Sequence, residues 1–115
     1  MIRGEIRWVH LDPVVGSEAD KRRPAILVSN DQANQTAERL GRGVVTVVPV
    51  TSNVRRVFPF QVLLPATLTG LPRDSKAQCE QVRSVALQRI GRRICFVSPR
   101  LMALVDEALR VHLDL

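Results

Sequence analysis

Polar and apolar residues alternate from Glu5 to Leu11, with Ile6, Trp8 and His10 on one side and Arg7, Val9 and Leu11 on the other. A period of two predicts a strand. Asp12-Pro13 stops it, and residues 14 to 22 read as a polar loop around Gly16. A second strand follows from about Arg23 to Ser29, and its unbroken apolar centre predicts burial on both faces. Asn30-Asp31 can cap a short helical turn through about Glu38, ended by Gly41 and Gly43. Val44 to Val50 is rich in β-branched residues and predicts a third strand, with Pro49 placing it at an edge or a bulge. Residues 52 to 58 form a second loop, and residues 65 to 72, with Pro65, Gly70 and Pro72, another. Further strands are predicted over Phe60–Leu64, Gln78–Val85 and Arg92–Val97. The C-terminal helix has the clearest signature. Ser98 is its N-cap and Pro99 its first residue, and Leu101, Leu104, Val105, Ala108, Leu109 and His112 form a stripe at helical spacing. Short strands closed by one helix predict a mainly β fold with short helices, a small, strongly bent sheet or partial barrel. With no repeat, low-complexity tract or linker, residues 1–115 read as a single domain.

Charge changes the picture. Seventeen Lys and Arg oppose 11 Asp and Glu, giving +6 and a sequence pI near 10.9. Such a balance fits a polyanionic partner such as nucleic acid, and fits a merely soluble cationic surface equally well. Arginine far outnumbers lysine, which tilts the reading toward phosphate, because guanidinium offers forked donors. The start of the chain has no apolar signal region and no run is long enough to span a bilayer, so a cytoplasmic protein without a membrane partner is expected. Cys79 and Cys95 sit far apart in apolar contexts and read as buried, reduced thiols. With no CxxC pair and only His10 and His112, no metal-ligand cluster or cofactor is indicated.

Basic and hydroxyl groups gather at strand ends between Pro13 and Asn53. Arg22 and Arg23 lead into the second strand, and Thr51-Ser52-Asn53 close the third. A rigid sheet can aim such groups at one phosphate. Taken alone, Arg23 reads first as a surface arginine beside a turn, Thr51 as a strand-end threonine bonding its own backbone, and Glu18 as a solvated loop charge. His10 falls beside Trp8 and reads as a packed or strand-end histidine; His112 reads as structural. Aromatic residues are few (Trp8, Phe58, Phe60 and Phe96), and Pro59-Phe60 reads as core rather than as a stacking platform.

Several segments, weak singly and specific in order, resemble the MazF/PemK family of toxin endoribonucleases over nearly the whole chain. They are Gly4-Glu5-Ile6 with Trp8-Val9, Leu11-Asp12-Pro13, Gly16-Ser17-Glu18 and Arg23-Pro24-Ala25-Ile26-Leu27-Val28-Ser29-Asn30. Val48-Pro49-Val50-Thr51-Ser52, Pro59-Phe60-Gln61-Val62-Leu63-Leu64 and Glu80-Gln81-Val82-Arg83-Ser84 follow. The resemblance implies an SH3-like, CcdB/PemK-type barrel that forms a homodimer. It implies metal-independent cleavage of single-stranded RNA at short sequences, leaving a 2′,3′-cyclic phosphate and a 5′-hydroxyl. It also implies inhibition by a cognate antitoxin protein. By position, the family's catalytic arginine falls on Arg23, its catalytic threonine on Thr51 and the acidic residue of the first loop on Glu18. Gln81 and Arg83 fall on the strand beside the groove. Two positions depart from the pattern: Arg7 stands where the family usually has an aromatic or aliphatic residue, and His10 where it often has Asp.

RNA cleavage without a metal uses the substrate's own 2′-hydroxyl as nucleophile. Arg23 suits the stabilisation of charge on phosphorus, because its forked donors match two phosphate oxygens. Arg22, Arg55 and Arg56 are candidates for tracking the RNA backbone, and a solvated loop accounts for them as well. Two other readings stand beside the nuclease: a CcdB-like, non-enzymatic poison of DNA gyrase, and a non-catalytic RNA-binding module.

Overall fold

A computed structural model of the chain describes residues 1–11 and 22–115. Within them lie seven strands: β1 (Glu5–His10), β2 (Arg22–Leu27), β3 (Val44–Thr51), β4 (Gln61–Leu64), β5 (Ser75–Gln78), β6 (Arg83–Ala86) and β7 (Ile90–Phe96). Three helices accompany them: α1 (Asp31–Leu40), the single turn α2 (Ala66–Thr69) and α3 (Pro99–Leu113). All the strand pairings are antiparallel, in the order β4-β5-β3-β2-β1-β7, with β6 on the same side of β3 as β5.

Strand β3 organises the sheet. One edge of it pairs with β2, Ala25 opposite Pro49 and Leu27 opposite Val47. Its other edge meets two successive strands. Val44–Val47 pair with β6 and Val50–Thr51 with β5. The single strand expected over Gln78–Val85 is not continuous: its first part is a 3₁₀ turn at Cys79–Gln81, β6 takes up only its end, and β5 lies ahead of it, reaching it at Gln78 alone. Pro49 explains where the interruption falls. The Thr46 carbonyl accepts from Val28 N at 2.9 Å on the β2 side. Backbone polarity alternates along a strand, so Pro49 presents its missing N–H to the opposite side, between the pairing with β5, which stops at Val50, and the pairing with β6, which stops at Val47. Pro49 thus marks neither a sheet edge nor a bulge in its own strand; the irregularity lies in the neighbour.

Both faces of the sheet are covered, as the unbroken apolar run in β2 requires. On one face Ile6, Ile26, Val48, Val50, Val62 and Leu64 pack against Leu101, Met102, Val105 and Ala108 of α3. On the other, Val9, Leu11, Ala25, Leu27, Val45, Val47 and Val85 form a second core with Ala37 of α1. Truncating a fully buried side chain such as Ile26 to Ala costs about 2–5 kcal/mol through lost transfer energy and the cavity left behind.

The helix ends follow the sequence signals. Asn30 caps α1 by accepting from Ala33 N at 2.8 Å, and Gly41 closes the helix in the left-handed conformation at φ 67°. Ser98 caps α3 by accepting from Leu101 N at 3.3 Å. The stripe of α3 is narrower than predicted. Leu104 is 51 % exposed and His112 is exposed in the last turn, where a basic group favours the negative end of the helix dipole. Two further expectations are corrected. Pro59 is exposed and Phe60 only half-buried, stacked on Phe58 with ring centroids 5.3 Å apart, so this pair lies outside the core. Cys79 is buried but Cys95 only half so; both are free thiols.

Candidate nucleic-acid-processing site

The ends of β2 and β3 bring the predicted residues together. Continuing the register of Ala25 with Pro49 by two residues sets Arg23 across from Thr51. Both lie on the face of Ala25, Leu27, Val45 and Val47, beyond the point where the second core stops. Arg23 is exposed, and among the described residues its guanidinium has no hydrogen-bond or ion-pair partner. The Thr51 hydroxyl accepts from Asn53 N at 3.2 Å, the local bond its strand-end position suggests. Its own proton and a second lone pair remain for a ligand.

Two hollows open on opposite faces of the sheet at this point, and Arg23, Val50 and Thr51 line both. The first, of about 320 Å³, has walls of Trp8, Pro24, Leu71, Pro72 and Ile94, with Arg22 and Arg73 beside them. The Arg22 guanidinium stands over the Trp8 ring, 5.7 Å from its centroid. Gly91 permits this arrangement. A Cβ at that position would lie 3.0 Å from the Trp8 carbonyl oxygen, so glycine eases the approach of β7 to the irregular stretch of β1. The second hollow, of about 340 Å³, is polar and is lined by Leu11, Gln78, Gln81 and Arg83. Arg83 Nη1 donates to the Leu11 carbonyl at 3.0 Å, so its head is held over this hollow's edge.

The predicted residues fall into three groups. Arg23, Thr51, Gln81 and Arg83 share the polar hollow, and Arg22 lines the apolar one. Arg55 and Arg56 line neither. Both are exposed on the loop that leaves Thr51, and Arg56 lies over Phe58, 5.6 Å from the ring centroid. Glu18 lies outside the described residues. Sequence reasoning missed Trp8, Arg73, Ser75 and Gln78 as lining residues. Gln78 could have been found from its place two residues before the Glu80-Gln81 segment; the others are distant in sequence, and only the fold gathers them. His10 is half-buried at the end of β1, and its carbonyl accepts from Arg89 Nη1 at 3.0 Å. Among the described residues no three His, Cys, Asp or Glu side chains gather as metal ligands would, and no helix is long and apolar enough to cross a membrane.

The arrangement supplies an exposed cation, a hydroxyl and polar side chains around one point, with an apolar recess behind. That is a set of donors for a phosphodiester, flanked by two places where bases could lie.

The chain is similar to several known proteins in sequence and in fold. Endoribonuclease MazF9 of Mycobacterium tuberculosis is 64 % identical over 115 residues, covering 100 % of this chain and 98 % of that protein. The crystal structure of MazF from Deinococcus radiodurans superposes with a TM-score of 0.78 at 26 % identity, over 100 % of this chain and 97 % of that one. A mycobacterial endoribonuclease in complex with its cognate antitoxin has the same fold, with a TM-score of 0.77 at 22 % identity, over 100 % and 96 % of the two chains. The sheet with its C-terminal helix is thus the CcdB/PemK-type barrel of the MazF toxins. The family model for the PemK-like, MazF-like toxin of type II toxin–antitoxin systems matches residues 2–113, and the chain belongs to that family.

Proposed function

We propose that this chain, as one domain spanning residues 1–115, is the toxin of a toxin–antitoxin pair. It is a sequence-selective endoribonuclease that cleaves single-stranded RNA in the cytoplasm. The observation that carries the reading is the Arg23 guanidinium, without a partner among the described residues, set across from the Thr51 hydroxyl where two hollows meet. The high identity to a protein named as an endoribonuclease supports it.

The scissile phosphate sits between Arg23 and Thr51. The 2′-oxygen of the preceding nucleotide attacks phosphorus, its proton passing to a base. A 2′-oxygen–phosphorus bond forms, the bond to the 5′-oxygen breaks, and that oxygen leaves protonated. The products are a 2′,3′-cyclic phosphate and a 5′-hydroxyl. Arg23 binds the non-bridging oxygens and stabilises the charge that grows on them, an effect strongest where water is partly displaced. Thr51 donates to the same phosphate. Arginine stays protonated in proteins, so proton transfer falls to other groups; Glu18 is the candidate base. Gln81 and Arg83 contact bases or sugars in the polar hollow, and Arg22, Arg55 and Arg56 follow the backbone. The nucleophile belongs to the substrate, so no metal or cofactor is called for. The protein works as a homodimer, and an antitoxin silences it by occupying the RNA groove. A poison of gyrase has no need of an exposed arginine set across from a hydroxyl.

The test is incubation with long single-stranded RNA in EDTA, with mapping of the fragment ends. Cleavage at a short recurrent sequence with cyclic phosphate ends is expected, abolished by a deoxyribose on the 5′ side of the cut. Intact RNA, with Arg23→Ala indistinguishable from wild type, overturns the enzyme reading.

A further inference from the structure

Lys76 is a buried cation whose burial nothing in the fold requires. It is 8 % exposed. It lies in β5 directly opposite Thr51, so the two side chains leave the sheet on the same face from neighbouring strands. Its ammonium donates to the Arg56 carbonyl at 2.6 Å, and no carboxylate among the described residues pairs with it. A largely buried lysine without a carboxylate partner gains little from its charge, so a hydrophobic residue would serve stability as well or better.

The loop from Ser52 to Phe58 shows what the lysine does. Its other bonds are local. Asn53 N donates to Thr51 Oγ1, Arg55 N to Asn53 Oδ1 at 3.3 Å, and Phe58 N to Gln61 Oε1 at 3.2 Å. Gln61 is in turn held by Glu80, its Nε2 donating to Oε2 at 2.6 Å, so the far end of the loop is anchored to the sheet. Between the two ends, the Lys76–Arg56 bond is the long-range tether among these contacts, joining residues 20 apart in sequence. It draws the middle of the loop over the face that carries Thr51, Lys76 and Gln78, and with it Arg55 and Arg56. The same face bears the polar hollow of Gln78, Gln81 and Arg83.

We propose that Lys76 is a positioning residue for RNA selection: its ammonium, bonded to the Arg56 carbonyl, fixes the 52–58 loop beside Thr51 so that the loop forms one wall of the substrate groove. It touches no reacting atom. Its positive charge also raises the potential that an RNA strand meets at that wall. The proposal rests on the nuclease reading for its functional half, and on geometry alone for the tether.

The experiment compares Lys76→Met, which keeps the stem and loses the donor and charge, with Lys76→Arg, which keeps both. Amide exchange over residues 54–58 is followed in the protein alone, and steady-state cleavage of a short RNA with fragment mapping is followed alongside. In Lys76→Met, exchange in the loop accelerates, KM rises about tenfold with kcat within about twofold, and cutting spreads to related sequences. The melting temperature stays level or rises, and Lys76→Arg restores most of the selectivity. A well-folded Lys76→Met with unchanged loop exchange overturns the tether. Unchanged KM and cut sites, with wild type active, overturn the role in selection and leave the nuclease reading intact. Wild type that cuts no RNA overturns the nuclease reading and the role in selection with it, while loop exchange still decides the tether. Should Lys76→Met fold poorly, Lys76→Gln gives the same comparison.

Discussion

Arg23 of β2 and Thr51 of β3 stand opposite each other in the register that Ala25 and Pro49 set, both beyond the second core, which stops at Ala25 on β2 and at Val47 on β3. Because that register is fixed by buried side chains on both faces, the separation of the two groups is a property of the sheet rather than of a loop. A one-residue slip of β2 would send Arg23 to the face away from Thr51, along with every core residue of β2.

Replacement of Arg23 by Ala is expected to lower kcat/KM by about 10²–10³-fold, the usual cost of losing a donor to developing charge. Arg23 is exposed, so stability should change by no more than about 0.5 kcal/mol. Lysine should recover little of the rate, since a point charge does not reproduce the fork. Single-turnover cleavage and thermal melting of the three proteins check this together.

For Thr51 the competing roles separate by substitution. Thr51→Val removes the acceptor for Asn53 N and should destabilise the turn by about 1 kcal/mol. If the hydroxyl also meets the phosphate, kcat falls with it, and Thr51→Ser restores both. A Thr51→Val protein that melts lower but cleaves normally would make the residue a turn-former only.

The loop arginines and the groove residues should differ in salt dependence. Each of Arg55 and Arg56 that meets a phosphate should, on replacement by Ala, flatten the slope of log affinity against log salt by about 0.7 for single-stranded RNA. Gln81→Ala should leave the slope alone and change which bases flank the cut. Filter binding of an RNA carrying a deoxyribose at the cut, over a salt series, distinguishes them.

Alkaline stability should depend on Cys79. Burial, with the negative charges of Glu80 and Asp106 adding to it, pushes its thiol from 9.0 up to about 12. The folded state therefore holds the proton more tightly than the unfolded one. The stabilisation is complete below pH 9 and is lost progressively as pH rises toward 12. Urea melts across this window should show falling stability in wild type and a shallower fall in Cys79→Ala. Equal slopes would remove Cys79 as the cause.

The sequence by itself determined the elements whose signals are local. The alternation in β1, the caps at Asn30 and Ser98 and the apolar run of β2 each depend on a few neighbouring residues, and each was legible. The family resemblance also marked Arg23, Thr51, Gln81 and Arg83, which the fold brings to one hollow. Tertiary structure decided the rest. The break between β5 and β6 answers to Pro49, a residue about thirty positions away that lacks one N–H, and no local pattern in Gln78–Val85 reports it. The apolar hollow joins Trp8, Leu71 and Ile94, which only strand pairing makes neighbours. Lys76 falls between the loop expected over residues 65–72 and the strand expected from Gln78, and nothing in the sequence sets it apart. Its burial, its place opposite Thr51 and its bond to Arg56 arise from the pairing of β3 with β5 and the return of the 52–58 loop across them. Local propensity fixes which segments become strands and helices; which strands pair, and which side chains then share a face and a cavity, is settled only when both cores close.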